Sequence, residues 1–339
     1  MQVICLCNPL LDIQATVEPA YLEKYALKSN DAVLVDSADD PLNRMAIYDE
    51  LLAKDGVVLV AGGAGQNTAR GAAYVLGEGQ VGYFGCVGQD KYAQLLLKEN
   101  EAAGVKSLYQ VEPAYGTGKC AALITGHDRS LVTDLGAANH FKAEHIDAHW
   151  DAVKQAKLFY VGGFHLTVSS DAIVKLGEHA KAEGKPLVLN FSAPFIPQFF
   201  HDALKQVLPY ATHVIANETE AQAFAEAFKL PVVDTTDLQA IAAEIIKEDP
   251  RKTVIFTHGL EPTVVATAEG TALHKVQPVD SSKIVDTNGA GDAFAAGFVA
   301  GTARGEPLDT CIDMGSWLAA LSIQEVGPSY PKTKLTYSN

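Results

Sequence analysis

Positive charge is scarce in this chain. Its 339 residues carry 26 Lys and Arg against 41 Asp and Glu, a net charge of −15. That balance excludes a general nucleic-acid or anionic-membrane surface. A phosphorylated ligand stays possible, because backbone N–H groups and a few basic residues suffice to hold one. Cysteine is scarce too: Cys5, Cys7, Cys86, Cys120 and Cys311 are scattered. Cys5-x-Cys7 lacks the usual zinc spacing, and no Cys/His group completes a metal site. These thiols read as reduced residues in or near the core of a cytosolic protein, with Cys120 as a pocket wall and not a nucleophile. No apolar run approaches the length of a membrane span, and residues 1–7 lack the basic start and cleavage pattern of a signal peptide, so none is expected. Internal repeats and low-complexity segments are missing. So is a Gly-x-Gly-x-x-Gly after the first strand, which disfavours a dinucleotide-binding dehydrogenase.

What the chain does have is a large globular core, with 48% apolar and 20% charged residues. Apolar β-rich runs at 3–6, 56–61, 81–87, 157–161, 186–190, 213–217 and 253–257 alternate with helical patterns at 66–76, 90–103, 170–182, 196–208, 218–228 and 238–246. This alternation predicts an α/β fold with a mostly parallel sheet covered on both faces. Ligands in such sheets bind beyond the C-terminal strand ends. Two segments break the rhythm, about 11–55 and 114–139. In the second, 120–125 and 130–133 flank the turn Gly126-His127-Asp128 as a hairpin. Both segments are expected to form a small β lid over a large domain, in one catalytic unit spanning 1–339. A lid suits phosphoryl transfer, which must keep water away.

The densest chemistry lies in Ile284-Val285-Asp286-Thr287-Asn288-Gly289-Ala290-Gly291-Asp292-Ala293-Phe294. Two β-branched residues read as a strand end. Gly289, Ala290 and Gly291 leave backbone N–H groups uncovered, and a helix of small residues then begins. Uncovered N–H groups at a positive helix end form an anion site. Asp292 within it is either a helix cap or the base that takes a proton from an attacking hydroxyl. Other motifs point to the same place. Asp12, in Asn8-Pro9-Leu10-Leu11-Asp12, is a turn former or an acceptor for vicinal hydroxyls. In Gly62-Gly63-Ala64-Gly65-Gln66-Asn67-Thr68-Ala69-Arg70 the glycines permit tight turning and close backbone approach. Asn217-Glu218-Thr219-Glu220 reads as a helix start, with Asn217 as cap and the glutamates complementing the dipole. Thr257-His258-Gly259 ends a strand where a hydroxyl and a turn can touch phosphate. Arg129, on the hairpin, is either solvated or swings onto the phosphates.

Taken together, these segments resemble the ribokinase-like family of sugar and nucleoside kinases. The matching stretches run in order along nearly the whole chain: 8–12, 62–67, 84–90, 120–126, 129–131, 163–169, 190–195, 217–220 and 286–294. Segments 8–12 and 190–195 are most similar to the adenosine-phosphorylating branch of fungal type. The resemblance implies transfer from ATP to the 5′-hydroxyl of adenosine, giving AMP and ADP, with Mg²⁺. By position it implies Asp292 as the base, the turn 289–291 as the anion hole, and Arg129 on the phosphates. It implies a nucleoside pocket of Asn8, Leu10, Asp12, Leu34, Gly62, Gly63, Ala64, Asn67, Cys120, Leu131, Leu135, Phe164, Phe195 and Asn288. Asn217, Glu220, Thr257 and Gly259 would serve ATP, with Asn217 and Glu220 reaching magnesium mainly through water. Residues 325–331 resemble a loop that completes a monovalent-cation site with Asp286 and Asn288, here through Ser329, so potassium is a further expectation. The pattern departs at Ala32, where some members have Gln, at Ala64, where some have Ser, and at Thr133, where a small apolar residue is usual. These departures bear on purine selectivity. The implied protein is a monomer acting on adenosine and ATP, without nucleic-acid or membrane partners, in the cytoplasm and as a second location the nucleus. The rivals are a kinase for another nucleoside or a sugar, and an idle nucleoside-binding protein that keeps the fold.

Overall fold

Short runs of β-branched and apolar residues become strands wherever both of their faces can be buried. The computed structural model describes residues 1–29, 32–35, 40–126 and 128–338. Among them are fourteen strands: β1 (Val3–Leu6), β2 (Leu10–Thr16), β3 (Ala32–Leu34), β4 (Val58–Gly62), β5 (Val81–Val87), β6 (Val105–Val111), β7 (Lys119–Thr125), β8 (Asp128–Asp134), β9 (Leu158–Gly162), β10 (Leu187–Asn190), β11 (His213–Asn217), β12 (Thr253–His258), β13 (Glu261–Thr267) and β14 (Gly270–His274). Nine form a large sheet in the order β14-β13-β12-β11-β10-β9-β1-β5-β6. Its pairings are parallel from β12 to β6, while β13 and β14 add an antiparallel edge. Two apolar clusters, around Phe159 and Phe191 on one face and around Tyr160 and Phe298 on the other, cover it.

The remaining five strands make a small sheet, β3-β8-β7-β2-β4. Its outer face carries Leu11, Ile13, Leu123 and Val132, packed under Ile47, Tyr48 and Leu51 of the helix Ala46–Leu52. Strand periodicity turns the alternate residues the other way, toward the large sheet. His127 of the expected hairpin turn, and residues 30–31 and 36–39 of the first lid segment, lie outside the described residues.

Three readings change. The run around 56–61 was expected in the alternating core, but β4 pairs antiparallel with β2 in the small sheet. Ile284 and Val285 do not end a strand: they follow a short 3-10 turn, and the N–H groups of Val285 and Asp286 donate to the carbonyl of Ile323 at the end of helix Leu308–Ser322. The helix expected over 196–208 is broken at Phe200 into Phe195–Phe199 and His201–Val207.

The chain crosses between the sheets twice near the site, at residues 7–9 and at 63. Gly63 sits at φ +88°, and a Cβ there would fall 2.6 Å from the carbonyl oxygen of Asn8. Only glycine lets these two crossovers touch.

Candidate active site

Between the sheets lies a cleft with about 920 Å³ of empty space, counting its open mouth. The small sheet supplies one wall: by alternation Leu10 and Asp12 from β2, Cys120 and Ala122 from β7, and Arg129, Leu131 and Thr133 from β8, and at the edge Ala32, Val33 and Leu34 from β3. The rest of the lining includes Asn8, Gly63, Ala64, Asn67, Leu135, Phe164, Phe195, Asn288 and Asp292. Gly62 is not on the surface of the cleft. It stands behind Asp12, whose carboxylate occupies the space a Cβ would need.

Asp292 lies in the first turn of helix Ala290–Arg304, whose N-cap Gly289 has φ +79°. The space around Gly291 is open where a side chain would be. Backbone N–H groups at that helix start face an approachable, positively polarised end. Asn67 Nδ2 donates to Asp292 Oδ2 at 2.9 Å. Burial pushes the Asp292 carboxyl up to about 7, and the Asp12 charge adds to the shift, against the Asn67 bond and the Arg70 cation. Burial also lifts Asp12 to about 6, opposed by Arg129 and Arg70. Cys120 is raised to about 12 by burial, so its thiol stays protonated and serves as wall.

The apolar end of the cleft is held open by Phe164 and Phe195, whose ring centroids are 5.9 Å apart and tilted by 41°. Asn8 is fixed beside them. Its Nδ2 donates to the Phe164 carbonyl at 3.0 Å, and its Oδ1 lies 2.9 Å from His165 Nδ1. Burial drives the His165 imidazole down to about 3, so it is neutral and donates that proton to Asn8.

The other expected residues lie outside this cleft. Asn217 and Glu220 form a reciprocal capping box at the start of helix Glu218–Ala227, with Glu220 Oε2 accepting from the Asn217 backbone N–H at 3.0 Å and Asn217 Oδ1 accepting from the Glu220 N–H at 2.8 Å. Burial raises Glu220 to about 7, and Glu218 and Asp292 add to it. Thr257 is the penultimate residue of β12, with its hydroxyl 3.5 Å from the Ala216 carbonyl, and Gly259 turns at φ +55°. Asp286 accepts from the N–H groups of Asn288 and Gly327, at 2.9 and 3.1 Å, and Arg129 Nη1 lies 3.9 Å from its Oδ2. Ser329 donates to the Val326 carbonyl, and the neighbouring Pro328 packs where Gly289 has no side chain.

Val33, Ala122 and Thr167 also line the cleft, and the sequence assigns them no role. Nor does it assign one to His165 or Arg70. The latter donates through Nη2 to Asn67 Oδ1 at 2.6 Å, and its i,i+3 spacing from Asn67 on one helix was the available clue.

Comparison with known proteins agrees with this geometry. The profile of pfkB family carbohydrate kinases matches residues 20–335. An adenosine kinase of Saccharomyces cerevisiae is 67% identical over 337 residues, covering 99% of this chain and 98% of that protein. One from Schizosaccharomyces pombe is 41% identical, covering 96% and 95%. The structure of Anopheles gambiae adenosine kinase in complex with P1,P4-di(adenosine-5) tetraphosphate is similar with TM-score 0.90 at 37% identity, covering 98% of each chain. That of the Schistosoma mansoni enzyme with 2-fluoroadenosine gives 0.89 at 32% identity, covering 97% of each. A match of this extent, on a fold that carries the glycine turn and its buried carboxylate, means that the chain belongs to the pfkB carbohydrate kinase family, within its adenosine kinases.

Proposed function

We propose that this chain transfers the γ-phosphoryl group of ATP to the 5′-hydroxyl of adenosine, with Asp292 as the base. One observation carries the reading. A buried carboxylate, lifted to about 7 and held by an amide, lines a nucleoside-sized cleft at a helix N-terminus. A base with that affinity is half ionised near neutral pH and suited to a proton that leaves only as the hydroxyl attacks. The backbone turn 289–291 and Arg129 stabilise negative charge spreading over the phosphoryl oxygens. Asp12 and Asn67 hold the ribose hydroxyls. The purine lies against Phe164 and Phe195, with Leu10, Leu34, Cys120, Leu131 and Leu135 closing the apolar wall. Arg129 is the only cation among the described cleft-lining residues, which disfavours a sugar already carrying phosphate.

Magnesium fits the donor set. Among the described residues no three His, Cys, Asp or Glu form a cage. The Asp292 charge raises the proton affinity of Glu220, and a cation near them relieves that repulsion. Mg²⁺ keeps most of its waters and takes few direct protein ligands, so Asn217 and Glu220 would hold it through water, where it would neutralise phosphate charge. Thr257 and Gly259 would touch the nucleotide. Potassium is a secondary reading: the loop 326–329 folds onto Asp286 and against Gly289, so a monovalent cation on its carbonyls and Ser329 would order the anion turn. A monomer is supported by the lid's own helices, which cover its outer apolar face. Five buried free thiols suit a reducing compartment such as the cytoplasm.

The test is ADP release with MgATP against adenosine, inosine, guanosine, ribose and fructose 6-phosphate, in potassium and in sodium. Activity confined to adenosine is expected. Activity on a sugar alone would keep the turn and overturn the pocket, and adenosine binding without turnover would leave an idle binding protein.

A further inference from the structure

Behind the base sits a second charge that the reaction itself does not require. Arg70, on helix Ala64–Leu76, sends Nη2 to two acceptors at 2.6 Å: the Asn67 Oδ1 and the backbone carbonyl of Ala61. Its Nη1 is enclosed with no hydrogen-bond partner among the described residues. Asn67 in turn donates to Asp292. The amide can point only one way, because a guanidinium cannot accept and an ionised carboxylate cannot donate.

We propose that Arg70 is a positioning residue for phosphoryl transfer: it locks the Asn67 amide that holds Asp292 and ties that pair to the lid strand β4 through the Ala61 carbonyl. This rests on the reading of Asp292 as the base. Joining a helix to one carbonyl needs only a neutral donor. A buried guanidinium is costly unless opposing charge offsets it. The offset comes from the carboxylates it faces, since Arg70 favours ionisation of both Asp12 and Asp292. Because Ala61 belongs to the small sheet, a shift of that sheet would reach the base through a chain of two side chains.

The Asp12 charge holds Asp292 toward its protonated form and the Arg70 cation toward its ionised form, while Asp292 itself raises Glu220, Cys7, Tyr160 and Tyr330. Arg70 is the only cation among them, so its removal moves the acid limb of the rate to higher pH.

The experiment compares the full-length protein with Arg70→Met, Arg70→Lys, Asn67→Ala and Asn67→Ala/Arg70→Met. It measures single-turnover phosphorylation of adenosine across pH, with adenosine dissociation constants and melting curves beside it. For Arg70→Met the expected result is a rate lower by on the order of 10- to 100-fold, an acid limb at higher pH, and adenosine affinity within a few-fold of the parent. Arg70→Lys keeps the charge but not the fork, so its rate falls while its acid limb stays near the parent's. Adding Arg70→Met to Asn67→Ala costs little further rate. A folded Arg70→Met with the parent's rate and acid limb overturns the proposal, as does full additivity with Asn67→Ala. Should Arg70→Met fail to fold, an unchanged rate in Arg70→Lys overturns it. A parent protein inactive on adenosine would sink the functional reading and this proposal together, a result distinct from the others.

Discussion

Asn67 Nδ2 donates to Asp292 Oδ2 at 2.9 Å across 225 positions of sequence. The bond joins the first turns of two helices, Ala64–Leu76 after the crossover at Gly63 and Ala290–Arg304 after the turn at Gly289. It fixes the carboxylate at the wall of the cleft. Asp292→Asn keeps the size and removes the basicity. Single-turnover phosphorylation should fall by about 10²- to 10⁴-fold, while calorimetry finds adenosine affinity nearly unchanged. Near-normal turnover would reduce Asp292 to a helix cap.

The rate should climb with pH through the range where that carboxylate ionises. Burial and the Asp12 charge hold Asp292 at about 7, and burial holds Asp12 at about 6. Protonated Asp292 cannot accept the hydroxyl proton, so transfer slows on the acid side. Since the two carboxylates interact, the limb belongs to the pair and not to either residue alone. A single-turnover rate that is flat from about pH 5 to 8 would place the base elsewhere.

The same shift makes a statement about stability. A carboxyl whose folded value is raised, as for Asp292 at about 7, favours folding fully only below its unfolded value near 4. That contribution is lost as pH rises through the folded value. At pH 8 Asp292 is an ionised group in an enclosed site, and Asp292→Asn should melt a few degrees higher than the parent. The difference should shrink toward zero at about pH 4, where both side chains are neutral. Melting curves at the two pH values check this, and an advantage independent of pH would show that desolvation of the charge is not its source.

Much of this site was legible because backbone requirements write themselves into residue types. The turn 289–291 needs glycine at a φ of +79° and an uncovered approach to the helix, so the motif marks the site without any tertiary information. Parallel strands buried on both faces, such as β9 with Leu158, Phe159, Tyr160 and Val161, stand out as unbroken apolar runs. The strand β4 did not reveal its sheet. Val-Leu-Val-Ala-Gly looks like a central strand, yet Val58 is 55% exposed and lies at the edge of the small sheet. A short apolar run carries no label for the sheet it joins. The sequence assigns Arg70 and His165 no role for a related reason: each acts on an asparagine of the site, and a spacing such as the i,i+3 of Asn67 and Arg70 is common to helical neighbours of every kind.

Arg129 stands on β8, on the cleft face beside Leu131 and Thr133, with Asp286 at 3.9 Å. From there it reaches the end of the cleft where the anion turn lies. Arg129→Ala should lower the single-turnover rate by at least about 10²-fold, the scale for loss of one preorganised donor to a charged transition state. Adenosine binding, which the apolar wall and Asp12 sustain, should change far less. An equal loss in both quantities would make Arg129 part of the nucleoside pocket instead.

Gly62 gives the sharpest test of the ribose grip, because it does not touch the cleft. A Cβ at Gly62 would lie 2.2 Å from the Asp12 carboxylate. The strand is otherwise regular and pairs with β2 at this position, Leu10 opposite Gly62. The added methyl cannot be absorbed by the backbone, so the Asp12 side chain must swing aside. Gly62→Ala should therefore fold and bind MgATP, yet lose adenosine affinity by about 10- to 100-fold, the scale of hydrogen bonds to a charged group. The loss should be smaller for 2′-deoxyadenosine, which has one fewer hydroxyl for Asp12 to hold. Equal losses for both nucleosides would mean that Asp12 holds the pocket's shape and does not grip the 2′-hydroxyl. No loss for either would mean that the ribose is held without it.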